Sequence, residues 1–426
     1  MNHYGIKHIL IALSVTSVFF TVWFAGMYPK AFEYIDLVYT SLEENISSVK
    51  NNIAAVLLHQ PVTVAELQTK YSTPERKVRV LIVPGHEPNF GGTEFGNLKE
   101  REMNVELAKY LGEFLKNNDH YDVMLARDNA DWSPTFTKYF KDNWESIVAF
   151  LRDNRNETLH LIEVGKVIKA TDKIYHNKAR SDVALRLYGI NKWENENAID
   201  IAIHIHFNDY PRKNVSSSGK YSGFTIYIPE RQYANNPTTK AVADKVFLRL
   251  AKYNGVSNLP IEDDGVVEEQ DLIAIGAYNT TNSASMLIEY GYIYEPQFAS
   301  EDVRHRTLKD LAFQTYLGLQ DFFGSGNDVS FAYDTLMLPH EWRSEMTKSN
   351  NTTEDVLALQ SALLVDGVYP GEGNTKNDCP RTGRIGPCTL GAIESFQKKY
   401  DIRGERGKVG EQTRKILNDR YSVRRI

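Results

Sequence analysis

VRVLIVPGHEPNFGGTEFGNLKEREMNVELAKYLGEFLK, residues 78–116, holds the transition on which the reading of the fold turns. Its opening, VRVLIV at 78–83, reads as an apolar strand suited to burial on both faces of a sheet. A loop rich in Gly, Asn and Pro follows, and a helix is predicted from about residue 101 to 117. Strand, loop and helix in that order form the unit from which parallel sheets are built.

The alternation continues downstream. Strands are predicted at 121–126, 199–207, 224–228, 272–275 and 284–289, with helices at about 177–193, 238–253 and 301–323. The implied fold class is α/β, a mostly parallel sheet with helices on both faces. Between 127 and 176 runs a long polar stretch holding Trp132, Phe136, Tyr139, Phe140 and Trp144. On one reading these aromatics line or cover a groove; on the other they belong to an added helical pair beside the core.

Upstream, residues 9–27 read ILIALSVTSVFFTVWFAGM, nineteen residues without a charge. That length fits a membrane-spanning helix better than the apolar part of a cleaved signal. Lys7 precedes it, and Trp23 and Tyr28 are interfacial types. The expectation is an N-terminal transmembrane anchor with the remainder exported; cleavage after Ala25 or Gly26 is the alternative. Apolar residues at helical spacing from Ile35 to Val56 predict a stalk helix, a short coiled coil or a docked helix. Pro61 and Pro74 mark 60–77 as a linker.

The C-terminal segment repeats itself. Gly383-Arg-Ile-Gly-Pro-Cys-Thr389 returns as Gly407-Lys-Val-Gly-Glu-Gln-Thr413, each a glycine turn opening a helix. A helix carrying Val356, Leu359 and Leu363 precedes both, which makes a small all-α module. The domains so read are 1–30 (anchor), 31–77 (stalk and linker), 78–323 (α/β domain), 324–351 (linker) and 352–421 (C-terminal module).

Composition narrows the function. Of 426 residues, 42% are hydrophobic and 24% charged, ordinary for a chain with real cores. A net charge of −6 excludes the basic footprint of a nucleic-acid binder. The only two cysteines, Cys379 and Cys388, exclude a cysteine-based metal site in the α/β domain. Ligands of a catalytic zinc are typically His and carboxylate, with one position left for water, and sites in open parallel sheets form at the carboxyl ends of strands. His86 lies three residues past the first strand, and Glu100 opens the next helix, where the dipole favours a carboxylate. His206 and Glu289 each stand at a strand's carboxyl end. Singly each has an ordinary explanation, a hydrogen-bonded histidine or a turn-capping acid; the set of four is what points to a site. His204 shares a strand face with His206 and is expected to line the cleft, as a neighbour of the ligands or in place of His206.

Together these motifs resemble the zinc-dependent N-acetylmuramoyl-L-alanine amidases of bacterial cell walls. Pro84-Gly85-His86, Glu100 with Asn104, Ile205-His206-Phe207-Asn208, Gly223-Phe224-Thr225-Ile226-Tyr227 and Leu287-Ile288-Glu289-Tyr290-Gly291-Tyr292 match that family's motifs in order, over about 78–323. The resemblance implies Zn2+ held by His86, Glu100 and His206, with Glu289 as catalytic acid/base. It implies hydrolysis of the amide between N-acetylmuramic acid and L-alanine, with a zinc-activated water as nucleophile. Glu87 departs from the pattern, standing where the family usually has glycine after the first ligand. Residues 353–417 resemble a peptidoglycan-binding domain through Val356-Leu357-Ala358-Leu359-Gln360, the first glycine turn and Ala392-Ile393-Glu394-Ser395-Phe396-Gln397. In an exported protein Cys379 and Cys388 would close a disulfide worth about 2–3 kcal/mol; free thiols would mark a cytosolic domain. The expected partners are therefore peptidoglycan and the membrane. Two other readings are a different zinc peptidase acting on wall peptides and a non-catalytic wall-binding protein.

Overall fold

The computed structural model describes residues 60–170, 179–325 and 333–422. The apolar segment 9–27 and the stalk 32–58 lie outside the described residues. Among the described residues, no helix is long and apolar enough to cross a membrane.

The first element corrects the expected linker at 60–77, since helix α1 (Val64–Ser72) occupies half of it. Its start is a capping box: Glu66 N–H donates to Thr63 Oγ1, and Thr63 N–H donates to the Glu66 carboxylate. Leu67 and Tyr71 bury against the main core, and the Tyr71 hydroxyl donates to Gln320 at 2.9 Å.

There follow β1 (Val78–Pro84), a small hairpin of β2 (Glu94–Phe95) and β3 (Leu98–Lys99), helix α2 (Glu100–Lys116) and β4 (Tyr121–Leu125). Next come α3 (Pro134–Glu163), α4 (Ser181–Glu196), β5 (Ile201–Asn208), β6 (Thr225–Pro229) and α5 (Asn236–Tyr253). The domain closes with β7 (Val266–Glu269), β8 (Ala284–Tyr292), the short α6 (Pro296–Ala299) and α7 (Glu301–Phe322). The sheet order is β4-β1-β5-β8-β6-β7, parallel except where β6 runs against β8.

β1 shows why the sheet is buried on both sides. Val80 and Ile82 face the layer that holds Leu107, Leu111, Val246, Leu311 and Phe313. Leu81 and Val83, one residue out of phase, face Phe136, Phe140 and Trp193. Each fully buried aliphatic side chain stabilises the fold by roughly 2 kcal/mol. The stretch after 127 holds one long helix, α3, where a helical pair was the alternative to a groove lining: α3 and the separately expected α4 cover the second face, and Phe136 and Phe140 are core residues.

One predicted strand is absent. Residues 272–275 form a 3-10 turn (Ile273–Ile275) that ends at Gly276 in the left-handed region, φ 98°. Ala274 and Ile275 pack onto Tyr227 and Leu287 from above the sheet. Four apolar residues ending in a left-handed glycine satisfy burial without entering the ladder, and Val266–Glu269 takes the edge instead.

A second core forms in the C-terminal part. Helices α8 (Thr353–Val365), α9 (Pro387–Lys399) and α10 (Glu411–Tyr421) enclose Val356, Leu359, Phe396 and Leu417. Residues 333–351, expected as linker, join it: Leu338, Trp342 and Met346 are buried there, and Met346 bridges Val409. Large apolar groups spaced every four residues were the signal of packing within that stretch.

The internal echo acquires a physical meaning. Gln360 Nε2 donates to Thr389 Oγ1 at 2.9 Å while its Oε1 accepts from Gly383 N–H at 3.1 Å. Gln397 repeats this on Thr413 (3.0 Å) and Gly407 (3.2 Å). Gly383 and Gly407 both have positive φ, so each turn needs its glycine. Cys379 and Cys388 are joined in a disulfide beside the first turn.

The two cores are tied by Arg381, whose guanidinium pairs with Asp310 on α7 at 2.8 Å, both side chains buried. Asp310 also accepts from Thr335 Oγ1 and Leu336 N–H. Removing one partner strands a buried charge, so Asp310→Ala is expected to destabilise by about 3–5 kcal/mol. Exchanging both for Met and Leu is expected to cost much less. Urea unfolding of the single and double variants is the measurement.

Candidate metal centre

The carboxyl ends of β1, β5 and β8 lie side by side, and the sequence-predicted residues gather there. Pro84 pairs with Ile205, and His206 pairs with Glu289. Paired residues in neighbouring strands sit roughly 5 Å apart and point to the same side, so Glu289 flanks His206.

Glu100 is the hub. As the first residue of α2 it is buried yet sits at the positive end of the helix dipole. Its Oε2 accepts from Thr93 N–H at 2.9 Å and its Oε1 from Phe207 N–H at 3.2 Å. The same Oε1 lies 2.7 Å from His86 Nε2 and 3.1 Å from His206 Nδ1. Burial pushes the Glu100 carboxyl up, but His86 and His206 outweigh it and hold it well below the usual carboxylate range. Burial lowers His206, opposed by the hydrogen bond to Glu100.

His86 requires a special backbone. Its φ is 69°, a left-handed conformation that costs a non-glycine residue roughly 1 kcal/mol or more. Gly92, at φ 78°, folds the loop back so closely that a Cβ there would come 2.9 Å from the His86 ring. A Cβ on Gly85 would meet the His206 ring at 2.2 Å.

The three ligand atoms lie within 4.8 Å of one another. His86 Nε2 is buried without a hydrogen bond, although a carboxylate oxygen is 2.7 Å away. Close approach without hydrogen-bond geometry fits donors converging on a third point. Two ligands at ordinary zinc bond lengths in a tetrahedron stand roughly 3.3 Å apart. Two imidazoles and one carboxylate are also the donor set of a catalytic zinc site. The residues present fit a divalent ion.

Glu289 stands beside them with a different electrostatic setting. Burial, then the negative charges of Glu100 and Glu262, push its carboxyl well above the usual range. Its Oε2 is buried and without a hydrogen-bond partner. A carboxyl so placed binds a proton more readily than a free carboxylate and can exchange it with a bound reactant.

His204 does not line the cleft. It is 1% exposed, and burial, reinforced by His206, pushes its imidazole down to about 3. Its Nε2 lies 3.9 Å from Glu194, which is also fully buried. The shared face with His206 is real, but the face descends into the layer beneath α4.

Four residues around the site were not read from the sequence. Arg127, 1% exposed, donates through Nε to Pro84 O at 3.0 Å and through Nη2 to Gly85 O, gathering the carbonyls at the end of β1. Its only sequence signal is an arginine directly after a strand. Glu262 accepts from Asn208, Tyr227, Ser257 and Tyr292, a buried acid with four donors that left no local signal. Glu194 was hidden in a polar helix end. Glu87 was noted only as a departure.

A family profile described as N-acetylmuramoyl-L-alanine amidase matches residues 80–320, more than half of the chain. Among solved structures the chain is similar to the CwlD amidase from Clostridioides difficile, determined in complex with the GerS lipoprotein. Identity there is 15%, covering 58% of this chain and 99% of that one, with a TM-score of 0.37. An N-acetylmuramoyl-L-alanine amidase from Clostridium difficile 630 matches at 19% identity over 60% and 99%, TM-score 0.34. Ami1 of Mycobacterium abscessus, an N-acetylmuramyl-L-alanine amidase in its apo form, matches at 14% over 57% and 97%, TM-score 0.38.

Two outcomes follow from the geometry. Gly85→Ala is expected to push His206 aside and weaken divalent-ion binding at least roughly tenfold with the fold retained; equilibrium dialysis with metal analysis, beside circular dichroism, reads this. Glu194 concerns pH. Burial pushes its carboxyl up to about 7, against hydrogen bonds from Ser283 and Thr281. Between the ordinary value of 4.5 and about 7 the unfolded chain has released a proton that the folded chain keeps. Stability contributed by the protonated group is therefore full below 4.5 and lost as pH rises, by about 3 kcal/mol at most. Glu194→Gln lacks this loss. Urea unfolding at pH 5 and pH 8 should show the variant gaining on the wild type at pH 8, and an unchanged gap would contradict the assignment.

Proposed function

We propose, from the premise that the chain belongs to the N-acetylmuramoyl-L-alanine amidase family, that His86, Glu100 and His206 hold a zinc ion and that Glu289 is the catalytic acid/base. The chain is a peptidoglycan amidase by that membership. The bond it cuts, on this reading, joins the lactyl group of N-acetylmuramic acid to L-alanine. The observation that carries the proposal is the convergence of the His86, Glu100 and His206 ligand atoms within 4.8 Å, with Glu289 one strand away.

Zinc, when bound, polarises the scissile carbonyl and makes water acidic enough to attack at neutral pH. The chain's own residues do the rest. Glu100, anchored by two backbone N–H groups, keeps both imidazoles on one point. Arg127 and Asn104 hold the carbonyl of Gly85 and so fix the approach to His86. Glu289 takes a proton from the attacking water at Oε2 and delivers it to the departing amine. Its raised proton affinity suits the delivery step, which needs a carboxylic acid at neutral pH.

The C-terminal part, 352–421, is proposed to bind peptidoglycan and keep the enzyme at an insoluble substrate. The disulfide between Cys379 and Cys388 supports an oxidising, extracytoplasmic location. With it goes the proposal that residues 9–27 anchor the chain in the membrane.

Glu289→Gln is expected to retain zinc while losing about 100-fold or more in rate on purified peptidoglycan. Chelation of the wild type should abolish activity, and added zinc should restore it. Chromatography of the digest should show intact stem peptides freed from glycan. Shortened stems still attached to glycan would identify a carboxypeptidase instead, and full activity of Glu289→Gln would remove the acid/base assignment.

A further inference from the structure

We infer that Glu87 is a positioning residue for His86, a latch that tunes the metal affinity of the site by holding the first ligand's strained backbone in place. The inference rests on the reading of His86, Glu100 and His206 as metal ligands.

His86 is the only one of the three whose backbone is left-handed, at φ 69°. Such a conformation persists where the surrounding structure over-determines it, and both flanks of His86 are clamped. Before it, Gly85 N–H donates to Ile205 O at 2.9 Å, and Gly85 O accepts from Arg127 and from Asn104. After it, Glu87 is buried, 6% exposed, and its two carboxylate oxygens are both occupied. Oε1 accepts from Arg186 Nε at 2.7 Å, and Oε2 accepts from Trp132 Nε1 at 3.0 Å.

Those two donors belong to different elements. Arg186 lies on α4 and is itself held by Asp182, one turn away, at 2.9 Å. Trp132 precedes Ser133, the N-cap of α3, and its strand-like bridge to Arg127 returns to the other clamp. Glu87 therefore ties the residue after the ligand to both helices covering that face of the sheet. A glycine, alanine or serine at this position reaches neither donor. Removing the carboxylate also leaves the Arg186 and Trp132 donors to find new partners, and the loop from 87 to 92 loses a buried charged tether to α4.

The test uses the full chain, purified in mild detergent because of its apolar N-terminal segment. Zn2+ affinity is measured by competition with a colorimetric chelator, and Co2+ is added to read ligand geometry from its visible spectrum. Glu87→Ala is expected to weaken Zn2+ binding by roughly tenfold or more and to shift the Co2+ bands. Glu87→Gln, which keeps an acceptor for only one of the two donors, should fall between Glu87→Ala and the wild type. Arg186→Ala combined with Glu87→Ala should be little worse than Glu87→Ala alone. Arg381→Met serves as the control for a buried ion pair far from the site: it should lower the melting temperature and leave Zn2+ affinity unchanged. If Glu87→Ala binds Zn2+ as tightly as the wild type while melting lower, Glu87 is a stability residue only and the inference is overturned. His86→Ala is measured alongside: its loss of binding, with Glu87→Ala unaffected, overturns the latch and leaves the metal reading standing. A wild type that binds no Zn2+ overturns both.

Discussion

The site depends on one carboxylate oxygen. Oε1 of Glu100 stands within 3.1 Å of both imidazoles. An acid so buried would ordinarily take up a proton. It stays charged because the N-terminus of α2, two backbone N–H groups and the two histidines all favour the anion. Each support comes from a different element: the hairpin loop through Thr93, β5 through Phe207 and His206, and the loop after β1 through His86. The fold can be understood as the framework that brings these supports to one carboxylate.

Glu100 and Glu289 illustrate how environment divides two chemically similar groups. Both are carboxyls in the same cleft, yet the first is held low by the two histidines and the second is pushed up by burial and like charge. The separation suits a ligand, which must be ionised, beside an acid/base, which must carry a proton at some stage. Glu262 contributes to this at a distance, a buried acid whose own charge is satisfied by Asn208, Tyr227, Ser257 and Tyr292. Beneath them His204 and Glu194 form a layer of polar groups that takes no part in the cleft.

Much of this was legible in linear order. The strand 78–83 and the helix after it announced a parallel α/β unit because apolar runs and helical periods are local properties. His86, Glu100, His206 and Glu289 were legible as candidates because each falls at an element's end, where boundaries can be inferred. The helix at Val64–Ser72 carried a written start signal, Thr63 with Glu66, overshadowed by the prolines on either side. Residues 272–275 were misread because four apolar residues bury equally well in a strand or in a turn lying on one.

Residue type and pattern alone pointed to the α/β class, to the repeated glycine turns of the C-terminal part and to the four residues proposed to carry the chemistry. These depend on residue type, on period and on spacing along the chain. Only the tertiary structure decided that His204 is buried while His206 faces the cleft, that 333–351 belongs to the second core, and that Glu87 meets Trp132 and Arg186. Each of those outcomes rests on a contact between segments far apart in the chain. Such contacts exist only once the backbone has closed, since burial and pairing are set by what the other segment brings.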